Sequence, residues 1–488
     1  MYEILFESLD VVSLFITSVF FFLLGYRPPW WQKTVKCKQN EQTIPGPFSL
    51  PVLGTRWIFT FGGYSFGKIH EYYLDMYRKY GAVMKEEALF NVPVISVFER
   101  QDIEKVLRSS GKYPIRPPTE AIAQIRRGLK ERYASTGIVN EQGERWHYLR
   151  SSLTSVLTSP KTISEFTPQA EAIADDWCNL LNQLGNNNSE VKDLHVVIGR
   201  LGLEATCALV LGRRMGFLIP GEESQSAKEL ANAVHDHFIA SRDTYFGLPF
   251  WKLFPTPAYK LLEKSEETIY KIALELIESA DDSTKESAVF QSVLRAHVDD
   301  REKTAAIVDF IAAGIHTLKN SLLFLFYLIA DNPHTQEKII NDTTGAYLKA
   351  CITESFRLLP TANCLARITE EPLELSGHRL KSGSVLICHT GIACRNEKNF
   401  VDADKFIPER WLDDQKSNYG NNAAFLVTPF GIGRRICPGK RFIEQVLPII
   451  VEATVKTFEL KVVTPLELQF EFLLSAKAPM NMIFKPRN

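Results

Sequence analysis

PFGIGRRICPGKRF, residues Pro429 to Phe442, sets one cysteine among three glycines, four basic residues and two phenylalanines. The segment after Cys437 has helical character, and Pro438 suits a first helical turn. Cys437 therefore sits at a helix N-terminus. The positive end of the dipole and free amides such as that of Gly439 favour the thiolate there, which is the ligand form of cysteine. Gly431, Gly433 and Gly439 read as positions where the backbone takes positive φ and comes close to a flat object. Phe430 can exclude water, and Arg435 can pair with an anion. Taken alone, a lone cysteine beside a basic loop is more simply a buried structural residue.

The rest of the chain sets the frame. Its 488 residues suffice for one large domain or several small ones. Hydrophobic residues make up 45% and charged residues 23%, an ordinary globular balance. A net charge of −1 gives no bulk attraction to nucleic acid, so none is expected as a partner. The eight cysteines form no C-x-x-C pair, which removes the usual pattern of a structural zinc site. Scattered through so large a chain, they read as reduced thiols. The polar run GNNNSE, Gly185 to Glu190, reads as a loop.

The first residues differ from the remainder. VVSLFITSVFFFLL, Val11 to Leu24, is apolar and uncharged but shorter than the roughly 20 residues that span a bilayer core. Arg27, Lys33, Lys36 and Lys38 follow, an arrangement that leaves the body of the protein cytoplasmic. Residues 1–30 are read as a hydrophobic anchor or targeting segment. Residues 31–50 are a hinge stiffened by Pro45 and Pro47, with Pro51 just beyond, and residues 51–488 are the working domain.

Beyond the hinge, helical patterns dominate. His70–Gly81 and Asp102–Gly111 both end at glycine. The stretch AVMKEEALFNVPVISVF between them has the composition of strands, and LELSGHRLKSGSVLICHT alternates like short strands. Lys303 to Pro333 is the longest helical candidate, apolar all round and so expected in the core. A membrane span there would have to carry Asp309, His316 and Lys319. The expected class is mainly α with small β-sheets.

A flat, anionic, iron-bearing group that takes one thiolate is haem. Phe430, Gly433, Arg435, Cys437 and Gly439 together complete F-x-x-G-x-R-x-C-x-G, which resembles the haem-binding signature of the cytochrome P-450 superfamily. Further motifs follow in that family's order. ESFR supplies E-x-x-R as Glu354 and Arg357, three apart on one helix face. FIPERW supplies Arg410, and WHYLR gives Trp146 and Arg150 at i, i+4. The resemblance spans about Pro45 to Pro486. It implies the cytochrome P-450 fold, with haem b between a long central helix and the cysteine loop. Cys437 is then the iron ligand, with Trp146, Arg150, Arg367 and Arg435 toward the haem propionates. Glu354, Arg357 and Arg410 form a buried structural cluster.

In the long helix, AGIHTL matches the family's oxygen-binding stretch. Ala313 and Gly314 are expected to leave room for dioxygen, and Thr317 to hand on protons. His316 stands where the family usually has an acid; it either passes protons itself or is a core histidine. The basic residues Lys349, Lys440 and Arg441 resemble those with which mitochondrial-type members meet a small acidic ferredoxin, itself served by a reductase. Several stretches, GIVNEQGERWHYLRSSL among them, are similar to the insect branch that hydroxylates ecdysteroids. That resemblance implies a monooxygenase acting on a steroid, with ecdysone the expected substrate and O₂ consumed. The expected pocket is lined by Tyr113 to Ser135, by Phe310, Ala313 and Thr317, by Pro360 to Leu365, and by Leu473 to Ala476. It also implies the mitochondrial inner membrane, whereas the N-terminus itself reads like an endoplasmic-reticulum anchor. The residues leave open a hydroxylase of another sterol or lipophile, a haem-thiolate isomerase or dehydratase, and a haem carrier or gas sensor. One departure is the short NPHTQEKIINDTTGAYLKACITE between the long helix and E-x-x-R, as a deletion or skipped exon would leave.

Overall fold

The computed structural model describes residues 44–487, except 52, 61, 89–90, 158, 186–188, 220, 222–224, 279–287 and 413–422. The apolar run at 11–24, its basic flank, most of the 31–50 hinge and the centre of the GNNNSE run lie outside the described residues.

Helices that bear on the site are α1 (Ile69–Tyr80), α2 (Glu120–Gly128), α3 (Gly143–Thr154), α4 (Leu194–Leu211), α5 (Gln225–Phe246), α6 (Pro257–Glu278), α7 (Asp300–Asp331), α8 (Ala346–Leu358) and α9 (Lys440–Thr457). The strands are β1 (Val83–Glu87), β2 (Pro93–Val97), β3 (Leu365–Ile368), β4 (Val385–Cys388), β5 (Leu468–Phe470) and β6 (Leu474–Ala476), with shorter pairs elsewhere. β1 and β2 form an antiparallel hairpin with Val83 opposite Val97. β2 runs parallel to β4, and β3 closes the sheet antiparallel to β4, giving the order β1-β2-β4-β3. The mainly helical architecture with small sheets is the expected one.

The expected long helix is α7. Asp299 caps it by accepting the Arg301 amide at 2.9 Å. From Leu318 to Ile329 it is buried almost throughout. α4 and α7 are each long and apolar enough to cross a membrane by length and composition, yet both are packed inside the protein. They cross closely. A Cβ on Gly314 would stand 2.6 Å from the Thr206 side chain, and one on Gly202 would stand 3.2 Å from the Ile315 carbonyl. Glycine at 314 is therefore explained by helix packing, and the space its missing side chain leaves faces α4. That differs from its expected use as room for dioxygen.

The short segment before E-x-x-R closes without a break. A helix at Pro333–Asn341 is followed by a turn at residues 342–345 and then by α8. The Asp342 carboxylate accepts the Thr344 amide at 2.9 Å and the Tyr347 amide at 2.6 Å, so one side chain both folds the turn and caps α8. Gly345 supplies the left-handed residue at φ 69°.

Candidate active site

The cysteine loop is shaped by two left-handed glycines, Gly431 at φ 72° and Gly433 at φ 71°. Between them the chain doubles back, and the Cys437 amide donates to the Phe430 carbonyl at 2.8 Å. Gly439 differs from expectation. Its φ is −78°, so it is not needed for a left-handed turn. A Cβ there would sit 3.7 Å from the Cys437 sulfur, so glycine keeps that side of the thiol open. α9 begins at Lys440 with Gly439 as its cap, which leaves Pro438 outside the first turn. Burial pushes the Cys437 thiol up, while the Gly439 amide, the guanidinium groups of Arg150 and Arg116, and the Lys440 amide pull it down. The thiol lies deep in the molecule yet keeps accessible surface, so it faces an interior hollow.

Four arginines gather beside the loop. Arg435 is held by the Pro114 carbonyl at 2.9 Å, the Glu141 carbonyl at 2.9 Å and Gln142 Oε1 at 2.7 Å, and it lies 3.8 Å over the ring of Trp146. Trp146 itself is fully buried. Arg150, one turn on in α3, donates to the Ile436 carbonyl. Arg367 on β3 reaches Ser110 Oγ at 3.3 Å and the Ile432 carbonyl at 3.4 Å. Arg116 donates to the Arg435 carbonyl at 2.6 Å. None of the four meets a carboxylate among the described residues. Burial first, and repulsion from Arg116, Arg367 and Arg150 with it, lower Arg435 to about 9. Burial, with repulsion from Arg367 and Arg150, likewise lowers Arg116 to about 10 against a smaller upward pull from Cys437. A desolvated cation cluster of this kind calls for anions. The two carboxylates of haem meet that demand, with the Cys437 sulfur on the same loop for the iron, so the residues fit the group. The sequence placed Arg116 only within the expected lining Tyr113 to Ser135 and not with the propionate partners; its local sign is IRPP, where two prolines hold the chain extended.

Thr317 hydrogen-bonds the Ala313 carbonyl at 2.7 Å, and Ser321 Oγ links the Thr317 carbonyl at 2.8 Å to Thr361 Oγ1 at 3.3 Å. Ala313 is exposed and Thr317 half-buried although both lie mid-helix, so this face of α7 borders the hollow. His316 points elsewhere. It is 1% exposed, stacks on Phe238 at 4.1 Å, and lies 3.3 Å from Ser475 Oγ and 3.6 Å from Glu471. Burial holds it well below the ordinary histidine range, with Lys319 and two further histidines acting the same way, so it is neutral.

Glu354 and Arg357 form a bidentate pair, both contacts at 2.8 Å, with neither side chain exposed. Arg410 joins Glu354 at 3.2 Å, as do the Trp411 indole at 2.9 Å and the Ile407 amide at 3.0 Å. Arg357 also ties down the carbonyls of Cys394, Ala403 and Lys405. Trp411 escaped the sequence reading, although it directly follows Arg410. Of the three basic residues expected on the outer surface, Lys349 and Arg441 are exposed, whereas Lys440 faces Glu444 at 3.6 Å.

A second buried charge cluster joins three helices. Arg126 of α2 reaches Asp309 of α7 at 2.6 Å and Glu266 of α6 at 3.2 Å, and the Tyr133 hydroxyl adds to Glu266 at 3.2 Å.

The family model for cytochrome P450 matches residues 44–484. The chain is 43% identical over 477 residues to ecdysone 20-monooxygenase of Drosophila melanogaster, covering 91% of this chain and 88% of that protein. It is 27% identical to cytochrome P450 302a1, mitochondrial, of Drosophila melanogaster, over 86% of this chain and 89% of that one. It is 26% identical to mouse 1,25-dihydroxyvitamin D(3) 24-hydroxylase, mitochondrial, over 92% and 90%.

Proposed function

The chain belongs to the cytochrome P450 family, with thiolate-ligated haem as its cofactor, and from that premise we propose that it is a steroid hydroxylase converting ecdysone to 20-hydroxyecdysone. The observation that carries the substrate is the 43% identity, spread over nine-tenths of the chain, to a protein of that name. Bound haem supplies an oxidant strong enough to break an unactivated C–H bond, which no side chain can do.

The chain's own residues do the rest. Cys437 ligates the iron, and the two amides at the start of α9 steady its negative charge. Arg116, Arg150, Arg367 and Arg435 neutralise the propionates. Thr317 holds a hydroxyl where a proton must be delivered, beside Ala313, whose small side chain leaves space next to it. Electrons come from a ferredoxin that docks near Lys349, Lys440 and Arg441 and is itself served by a reductase; the mitochondrial names of several relatives support that partner and a mitochondrial site.

Reconstitution with a mitochondrial ferredoxin, its reductase, NADPH and ecdysone should give a product heavier by one oxygen at carbon 20. Absence of that product, in protein whose reduced carbon monoxide complex has the thiolate-type Soret band, overturns the substrate. Equal turnover with the microsomal flavoprotein reductase overturns the partner.

A further inference from the structure

Thr361, joined to α7 through Ser321, starts the stretch that leads through Asn363 and Cys364 into β3. Tyr73 of α1 and Tyr245 of α5 both stand near Cys364. Tyr73, Tyr245 and Cys364 share an unusual combination: each is enclosed by protein on nearly every side, yet each keeps accessible surface. Side chains so placed face an interior space. Cys364 is also close enough to bear electrostatically on both phenols.

The wall here is polar where the rest of the core is not. No acceptor for the Tyr245 hydroxyl and no partner for the Asn363 side-chain amide occurs among the described residues, although the Asn363 carbonyl is taken by the Gly391 amide at 2.9 Å. Tyr245 is fixed edge-on against Phe472 at 5.6 Å, and Tyr73 packs on His389 at 4.2 Å. Arg56 donates to the Phe246 carbonyl at 3.2 Å, and Glu86 accepts from Tyr72 at 2.8 Å. These two charged groups back the tyrosines. Burial keeps both phenols protonated; the Tyr73 hydroxyl donates to Glu86, while that of Tyr245 is left to donate and accept. Polar groups held inside a protein without partners are costly unless something satisfies them. By contrast, Tyr73, Thr361 and Ser475 already have partners, in Glu86, Ser321 and His316.

We propose that Tyr245 and Asn363 form a polar subsite that takes a ring-A hydroxyl of the steroid, at the end remote from the oxidised carbon. The proposal rests on the steroid-hydroxylase reading and adds to it a means of choosing hydroxylated substrates. A sterol lacking that hydroxyl would leave the group unpaired and be rejected.

The test is substrate-induced spectral titration of the full haem-containing chain and its Tyr245→Phe and Asn363→Leu variants. Three ligands are compared: ecdysone, an analogue without the ring-A hydroxyls, and an analogue without the terminal side-chain hydroxyl. Tyr245→Phe removes one oxygen and keeps the ring, and an intact carbon monoxide band verifies folding. Each variant should bind ecdysone roughly tenfold more weakly. That loss should vanish for the analogue without the ring-A hydroxyls and persist for the one without the terminal side-chain hydroxyl; the reverse pattern overturns the subsite as placed. An equal loss for all three ligands, or no loss, overturns the subsite while leaving ecdysone as substrate. If the unaltered protein does not bind ecdysone, the substrate reading falls. The subsite is then judged with a 3-hydroxysterol and its 3-deoxy counterpart, where a loss shared equally by both overturns it too.

Discussion

Arg116 shows what a single side chain reveals that spacing does not. The signature around Cys437 is legible because its parts act within ten residues of one another. The same holds for Glu354 with Arg357 and for Trp146 with Arg150, which one or two helical turns bring together. Arg116 instead meets the carbonyl of Arg435 from 319 positions away, and no sequence pattern encodes that contact. Its position makes a two-sided prediction. Arg116→Met removes one of four mutually repelling buried cations. Haem-depleted protein should therefore gain stability, seen as a higher melting temperature. Haem-loaded protein should lose cofactor faster to an apo-globin acceptor, by an amount that reflects a lost charged hydrogen bond of roughly 1–3 kcal/mol. A variant that falls in both measurements contradicts the propionate role.

At the scale of the element, α7 divides its work by face. Residues 313 and 317, one turn apart, border the hollow; 314 meets α4; 316 turns toward Phe238 and β6. The helix was legible from its length and apolar character, but its rotation was not, because an apolar stretch on all sides carries no moment to orient it. That is why Gly314 and His316 were read together with Thr317. The structure separates them, and separate outcomes follow. Thr317→Ala should raise the peroxide released per NADPH oxidised. His316→Gln, which keeps a polar group near Ser475, should leave that ratio near the starting value. A rise in peroxide with His316→Gln would return this histidine to the proton path.

Across the whole molecule, composition identified a large globular chain with no bulk attraction to nucleic acid, and the ordered motifs indicated its family. The closure of the short segment was not legible, since it depends on Asp342 reaching two amides at once. The distribution of buried histidines was equally hidden, and it sets the response to acid. His389 stacks on Phe98 at 4.7 Å, packs on Tyr73, and bonds Ser96 Oγ at 3.1 Å; burial lowers it to about 3. His195 is lowered to about 4 by burial. Below about pH 6.5 the unfolded chain takes up protons that the folded chain refuses. Stability from these groups is thus complete above that pH and falls as pH drops toward their folded values, by roughly 1 kcal/mol per pH unit for each. His389→Phe preserves the stack and should flatten the acid limb of the melting-temperature profile between pH 6.5 and 4. An unchanged limb would mean that His389 is protonated in the fold.

The Arg126 cluster has a consequence in time. α2 and α6 cannot part from α7 without stranding a buried guanidinium or a buried carboxylate, and stranding either costs roughly 3–5 kcal/mol. Any opening that separates these three helices is slowed by about that amount, on the order of a thousandfold in rate. Such pairs are shielded from salt. A ligand that leaves by that route should therefore have a long residence time that ionic strength barely alters. Stopped-flow displacement of bound steroid should show a slow release rate in the parent chain. In a triple variant with Arg126→Met, Glu266→Gln and Asp309→Asn, the rate should be much faster at nearly the same affinity, because a barrier common to entry and exit sets dwell time without setting equilibrium.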